Sequence, residues 1–141
     1  MQIKNIQLKS IEAKRYSDRS KHPQKVRIDH NSTVSEISKI KDGQANIDFE
    51  YTASFGHLGI IKLGGSLIYI NKDAEKIVES WRGSHKMPDE VASKIHTAIM
   101  HACVPQAVGI AKDLNMPPPI PLPQVKIGKN PKEGQAGPEI A

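Results

Sequence analysis

Residues 44–55, QANIDFEYTASF, place Ala45, Ile47, Phe49, Tyr51, Ala53 and Phe55 at every second position, with Gln44, Asn46, Asp48, Glu50, Thr52 and Ser54 between them. Side chains of an extended chain point alternately to its two sides, so this stretch reads as a strand with one packed face and one wet face. Just before it, Lys41-Asp42-Gly43 supplies a glycine able to take positive φ, which is the chemistry of a hairpin turn. The neighbouring strand is therefore expected upstream, in VRIDHNSTVSEISKI.

In that upstream stretch Val26, Ile28 and Val34 share one parity and Ile37 does not. One extra residue, a β-bulge, would bring both phases onto the same face. Downstream, LGIIKLGGSLIYI carries apolar groups of both parities at Leu67, Ile68, Tyr69 and Ile70. Both faces of that strand need cover, one from a helix and the other from a second subunit. The opening IKNIQLKSIEA fits a strand with a phase shift through Ile3, Ile6, Leu8 and Ile11, and also a short helix; the strand is the reading adopted. Between it and Val26, KRYSDRSKHPQK is too polar for a packed element and long enough to cross a sheet edge.

Two helices follow. Asn71 is a good N-cap, with Asp73 and Glu75 in the first turn, where negative charge suits the helix dipole. Ala74, Ile77, Val78 and Trp81 then form one apolar stripe, and Gly83 is placed to close the helix. A second, longer helix is predicted from Pro88 to about Leu114, its core stripe being Val91, Ile95, Ala98, Ile99, Ala102 and Cys103, then Val108, Ala111 and Leu114. Pro105 should kink it, because proline offers no N–H to the carbonyl of residue 101. After Asn115 come five prolines in MPPPIPLPQV. These allow a Pro-x-x-Pro ligand for a partner domain, yet Ile120, Leu122 and Val125 alternate with the prolines, and a closing segment packed beside the sheet is the favoured reading.

The expected fold class is thus α+β: a four-stranded antiparallel sheet with a crossover loop after the first strand, followed by one short and one long C-terminal helix. Residues 1–127 form the predicted domain and 128–141 a flexible polar tail.

A chain of 141 residues with 38% apolar and 25% charged residues has the balance of one soluble domain. Cys103, the single cysteine, excludes an internal disulfide and a cysteine metal cluster and suits a reducing, cytoplasmic setting. No run is long enough to span a membrane, and MQIKNIQLKS lacks the apolar stretch of a signal peptide. The net charge of +5 would permit nucleic-acid binding, but the lysines are mixed with Asp and Glu and no basic run interleaved with aromatics occurs.

Signals for catalysis are missing. His96 and His101 are about 140° apart around a helix and cannot share a metal. GIIKLGGS lacks the Lys-Ser/Thr of a phosphate loop and reads as a strand that another backbone approaches closely. No nucleophile elbow or acid–base pair is visible, so a binding protein is expected, with no cofactor and no metal.

Taken in order, KVRIDHNST, YTASFG, GGSLIYI, CVPQAV and MPPPIPLPQV resemble successive segments of the SecB-type protein-export chaperones, over most of residues 3–127. The resemblance implies an ATP-independent holdase that keeps nonfolded client polypeptides in apolar grooves, and self-assembly into a dimer or a tetramer built as a dimer of dimers. Carried over by position, Tyr16, Val26, Ile28 and His30 are the candidate client-binding residues; His30 stands where the family tends to have another aliphatic side chain. Bacterial members dock a translocation motor through carboxylates on the sheet, and relatives hold other clients such as an antitoxin. Asp48 and Glu50 alone read as a solvated face, so a motor is not implied. The alternative reading is a basic ribosome- or RNA-associated protein of the same fold.

Overall fold

The computed structural model describes residues 1–16 and 27–120. Its elements are β1 (Gln2–Arg15), β2 (Asp29–Lys41), β3 (Gln44–Ser54), β4 (Gly59–Ile70), α1 (Ala74–Ser84) and α2 (Asp89–Asp113). The four strands form one antiparallel sheet in the order β1-β4-β3-β2. Strands β2, β3 and β4 are sequential neighbours, whereas β1 pairs with β4 at the far edge. The chain must therefore cross from one edge of the sheet to the other between β1 and β2, as expected. Most of that crossover, including Val26, lies outside the described residues, as do the end of the proline segment and the tail.

The alternation of β3 sets the two faces. Ala45, Ile47, Phe49, Tyr51, Ala53 and Phe55 are all buried under the helices. On β2, Val34 pairs with Phe49 and Ile37 with Ile47, and the register slips by one residue between Val34 and Glu36. This is the expected bulge: Ser35 absorbs the extra position and both apolar residues reach the core. On β4, Leu63, Leu67 and Tyr69 share the helix side, which leaves Ile60, Ile68 and Ile70 half-buried on the other.

Strand β1 slips twice, between Lys4 and Gln7 and between Leu8 and Ser10, with Asn5 at φ 53°. These slips bring its backbone close to β4. A side chain at Gly65 would collide with the Gln7 carbonyl and lie 2.9 Å from the Phe49 ring, so only glycine fits. The close-approach reading of the paired glycines holds.

Helix α1 buries Ala74, Ile77, Val78 and Trp81, the predicted stripe. Its ends differ from the sequence reading. The N-cap is Asp73, with no side-chain cap bond, while the Asn71 carbonyl accepts from Ala74 N–H at 3.1 Å in a preceding turn. The helix continues past Gly83 and closes on His85, which takes the left-handed conformation (φ 57°) and donates its N–H to Trp81 O at 2.8 Å. A ring contact with Trp81, centroids 5.2 Å apart, accompanies that exception for a non-glycine residue.

Helix α2 begins after Pro88 and runs unbroken through Pro105. Its buried positions are Val91, Ile95, Ile99, Cys103, Ala107 and Ala111, a strict spacing of four. The predicted stripe was too wide: Ala98, Ala102, Val108 and Leu114 are only half-buried. A four-residue row drifts around a straight helix by about 40° per step. The helix can follow it because it crosses the sheet obliquely, touching all four strands.

Candidate functional site

Two contacts fix the path of α2. Near its start, His96 Nδ1 and Ser32 Oγ on β2 lie 2.5 Å apart and share a hydrogen bond. Beyond its end, Arg15 Nη1 on β1 donates to the carbonyls of Leu114 at 3.1 Å and Asn115 at 2.7 Å. The helix thus runs from the β2 edge to the outer end of β1, and Met116 packs over Gly59 beside that end. At the end of the sheet marked by Lys14 on β1 and Asp29 on β2, two corners, one on each edge, stay thinly covered.

One of these corners lies along β1. Ile11 faces the helix side opposite Leu63, yet it is 57% exposed. Around the β1 edge opens a concavity of about 440 Å³ lined by Ile11, Glu12, Ala13, Lys14, Tyr16, Ile60 and Lys62, of which Glu12, Lys14, Ile60 and Lys62 belong to the face turned away from the helices. Tyr16 is 58% exposed; its N–H donates to Leu58 O at 2.9 Å, which extends the β1–β4 pairing by one residue.

The other corner lies between the start of β2 and α2. Ile28 is half-buried against the core. His30 shares a hydrogen bond between its Nδ1 and Tyr51 Oη, 2.6 Å apart, with ring centroids 5.8 Å apart. His96, Met100 and Val104, spaced by four, lie along one side of α2, and the His96–Ser32 bond shows that this side faces β2. Met100 and Val104 pack only partly against the core. The corner is thus an apolar ledge of Ile28, Met100 and Val104 with a polar seam of His30, Ser32 and His96. Beneath it, burial and then the nearby Cys103 push the Tyr51 hydroxyl up to about 12. Burial likewise pushes the Cys103 thiol up to about 11, so this sulfur is not a thiolate nucleophile at neutral pH.

Of the predicted client-binding residues, Tyr16 lines the first corner and Ile28 and His30 line the second. Both sets occur at the same end of the sheet, since Lys14, Ile60, Ser54 and Asp29 form its last cross-strand row, but on opposite edges about 14 Å apart at ordinary strand spacing. They do not form one pocket. Val26 lies outside the described residues. Sequence reasoning missed Ile11, Ile60, Met100 and Val104. The first two belong to regular strand alternation, and the last two flank a helix stripe; no residue pattern reveals that the helix runs obliquely past them.

Among the described residues no three His, Cys, Asp or Glu side chains converge on a possible metal position, and no helix is long and apolar enough to cross a membrane.

No protein-family model matches the chain, and no curated protein matches it in sequence. A solved structure is similar in fold. The Rv1957 SecB-like chaperone of Mycobacterium tuberculosis, in complex with a ChAD peptide from the Rv1956 HigA1 antitoxin, superposes with a TM-score of 0.55 at 10% identity, over 89% of this chain and 87% of that one. At that identity the likeness concerns architecture: the α+β arrangement of four antiparallel strands and two helices is that of a SecB-like chaperone.

Proposed function

We propose that this protein is an ATP-independent holdase that binds nonfolded polypeptides along its two thinly covered corners, acting by binding and not by catalysis. The observation that carries the reading is the exposure of Ile11 and Tyr16 around an open concavity on a fold whose structural neighbour was solved holding a peptide. A nonfolded chain offers apolar side chains at short intervals and unpaired backbone groups. The corners offer both complements: the apolar surface of Ile11, Tyr16 and Ile60 or of Ile28, Met100 and Val104, and next to each an outer strand with unpaired backbone groups. Removing apolar area from water contributes about 25 cal/mol per Å² whatever the side chain, which favours many clients over one.

Corners about 14 Å apart suit a client long enough to reach from one to the other, a span of about four extended residues. The mixture of charges disfavours the RNA reading: Asp29, Glu36, Asp48 and Glu50 stand on the same open face as Lys4, Lys14 and Lys62, and carboxylates repel a phosphate backbone. A free, buried Cys103 suits work in a reducing cytosol.

The test is aggregation of a reduced, unfolded model protein followed by light scattering without nucleotide. Suppression near equimolar ratio, lost in Tyr16→Ser/Ile11→Ser and insensitive to salt, is the expected result. No suppression at a tenfold excess would overturn the proposal, and binding of single-stranded RNA that weakens steeply with salt would replace it by the RNA reading.

A further inference from the structure

The concavity at the β1 corner carries charge as well as apolar surface. Lys14 stands opposite Ile60 on β4 and Glu12 opposite Lys62, so the two lysines are diagonal neighbours on one face of the β1–β4 pair. Diagonal positions are about 7–8 Å apart, and each ammonium swings on a flexible four-carbon stem. One acceptor placed between them can therefore meet both. Among the described residues Lys14, Lys62 and Glu12 take part in no ion pair. The other corner differs: Arg27 and Asp29 neutralise one another at 2.9 Å near the start of β2, and the seam of His30, Ser32 and His96 is engaged in hydrogen bonds within the protein. Apolar surface is common to both corners, and a surplus of cations belongs to one.

We propose that the β1 corner selects client segments in which apolar and acidic residues alternate, the apolar side chains covering Ile11 and the carboxylates entering between Lys14 and Lys62. This rests on the holdase reading and specifies which segments are held at this corner. The geometry of the edge supplies the pattern. Ile11 and Ala13 stand on the helix side, opposite Leu63 and Ile61, whereas Lys14 and Lys62 stand on the other side of the same strand pair. A segment extended along this edge sends successive side chains to opposite sides. Its apolar residues then meet Ile11 and its acidic residues meet the lysines, while the exposed Tyr16 adds apolar contact at the end.

The charges set preference and the apolar contact sets overall affinity. An exposed ion pair shifts an equilibrium by about fivefold at most. Exchanging a client carboxylate for an ammonium turns that attraction into a repulsion of similar size, so acidic and basic versions of one segment should differ by about tenfold. Glu12 beside the lysines keeps the local surplus small, which suits isolated carboxylates and not a dense phosphate backbone.

The experiment follows, by fluorescence anisotropy with the full chain, three end-blocked peptides that share one frame of alternating leucine and phenylalanine and carry aspartate, asparagine or lysine at the intervening positions. The aspartate peptide should bind about tenfold tighter than the lysine peptide at about 50 mM salt, with the asparagine peptide between them, and the spread should shrink at about 500 mM. Lys14→Glu/Lys62→Glu should reverse the order. Lys72→Glu/Lys76→Glu makes an equal change of net charge beyond the far end of β4 and on α1, and should keep the order. Should the first variant fail to fold, Lys14→Gln/Lys62→Gln must erase the preference for the proposal to stand. Equal binding of the three peptides, or an order that Lys14→Glu/Lys62→Glu preserves, overturns the selection of acidic segments and leaves the holdase reading in place; no binding of any peptide overturns both.

Discussion

At the scale of single residues, burial decides which polar groups are chemically active. Tyr51 and Cys103 are fully buried and hold their protons more tightly in the folded chain, up to about 12 and about 11, than at the ordinary values of 10.0 and 9.0. The sign follows: stability from their neutral forms is complete below pH 9 and is lost as pH rises through 9 to 12. The melting temperature should be flat from pH 7 to about pH 8.5 and then fall, and Tyr51→Phe should flatten the later part of the fall; an unchanged slope would contradict this account. Gly65 gives a sharper test. Gly65→Ala must push against the Gln7 carbonyl and the Phe49 ring, so unfolding in denaturant should show a loss of about 2 kcal/mol or more. The need for glycine there was readable in the sequence as a strand interrupted by Gly-Gly, although the colliding partner was not.

At the scale of elements, the legible features were those with a period. Six alternating pairs in β3 announced the strand, and the phase break between Val34 and Ile37 announced a bulge that the register contains. What the sequence left open was set by contacts between elements. The end of α1 moved from Gly83 to His85 because a ring contact with Trp81 supports a left-handed residue that local propensity disfavours. The stripe of α2 narrowed because the helix crosses the sheet obliquely, touching all four strands. Pro105 sits in an uninterrupted helix, with His101 exposed at the turn below it. Pro105→Ala should therefore restore a backbone bond and raise stability by about 1–3 kcal/mol, read from the denaturant midpoint, whereas a drop would show that the proline is needed for packing.

At the scale of the whole molecule, four strands and two helices cannot enclose the sheet. Among the described residues no element covers one face, and the other is crossed by α2, with Ile11 and Tyr16 exposed on one edge and Ile28, Met100 and Val104 half-covered on the other. Ile28→Asp and Met100→Asp should each weaken client binding several-fold without altering the fold, since both side chains are only partly buried. The most direct test is hydrogen exchange of the full chain titrated with a reduced, carboxymethylated protein that cannot fold. Slowed exchange at the β1 edge around Ile11 to Tyr16 and at the start of β2 around Ile28 to Ser32 is the predicted result. Exchange unchanged at saturating ligand, or protection confined to β3 and α1, would contradict it.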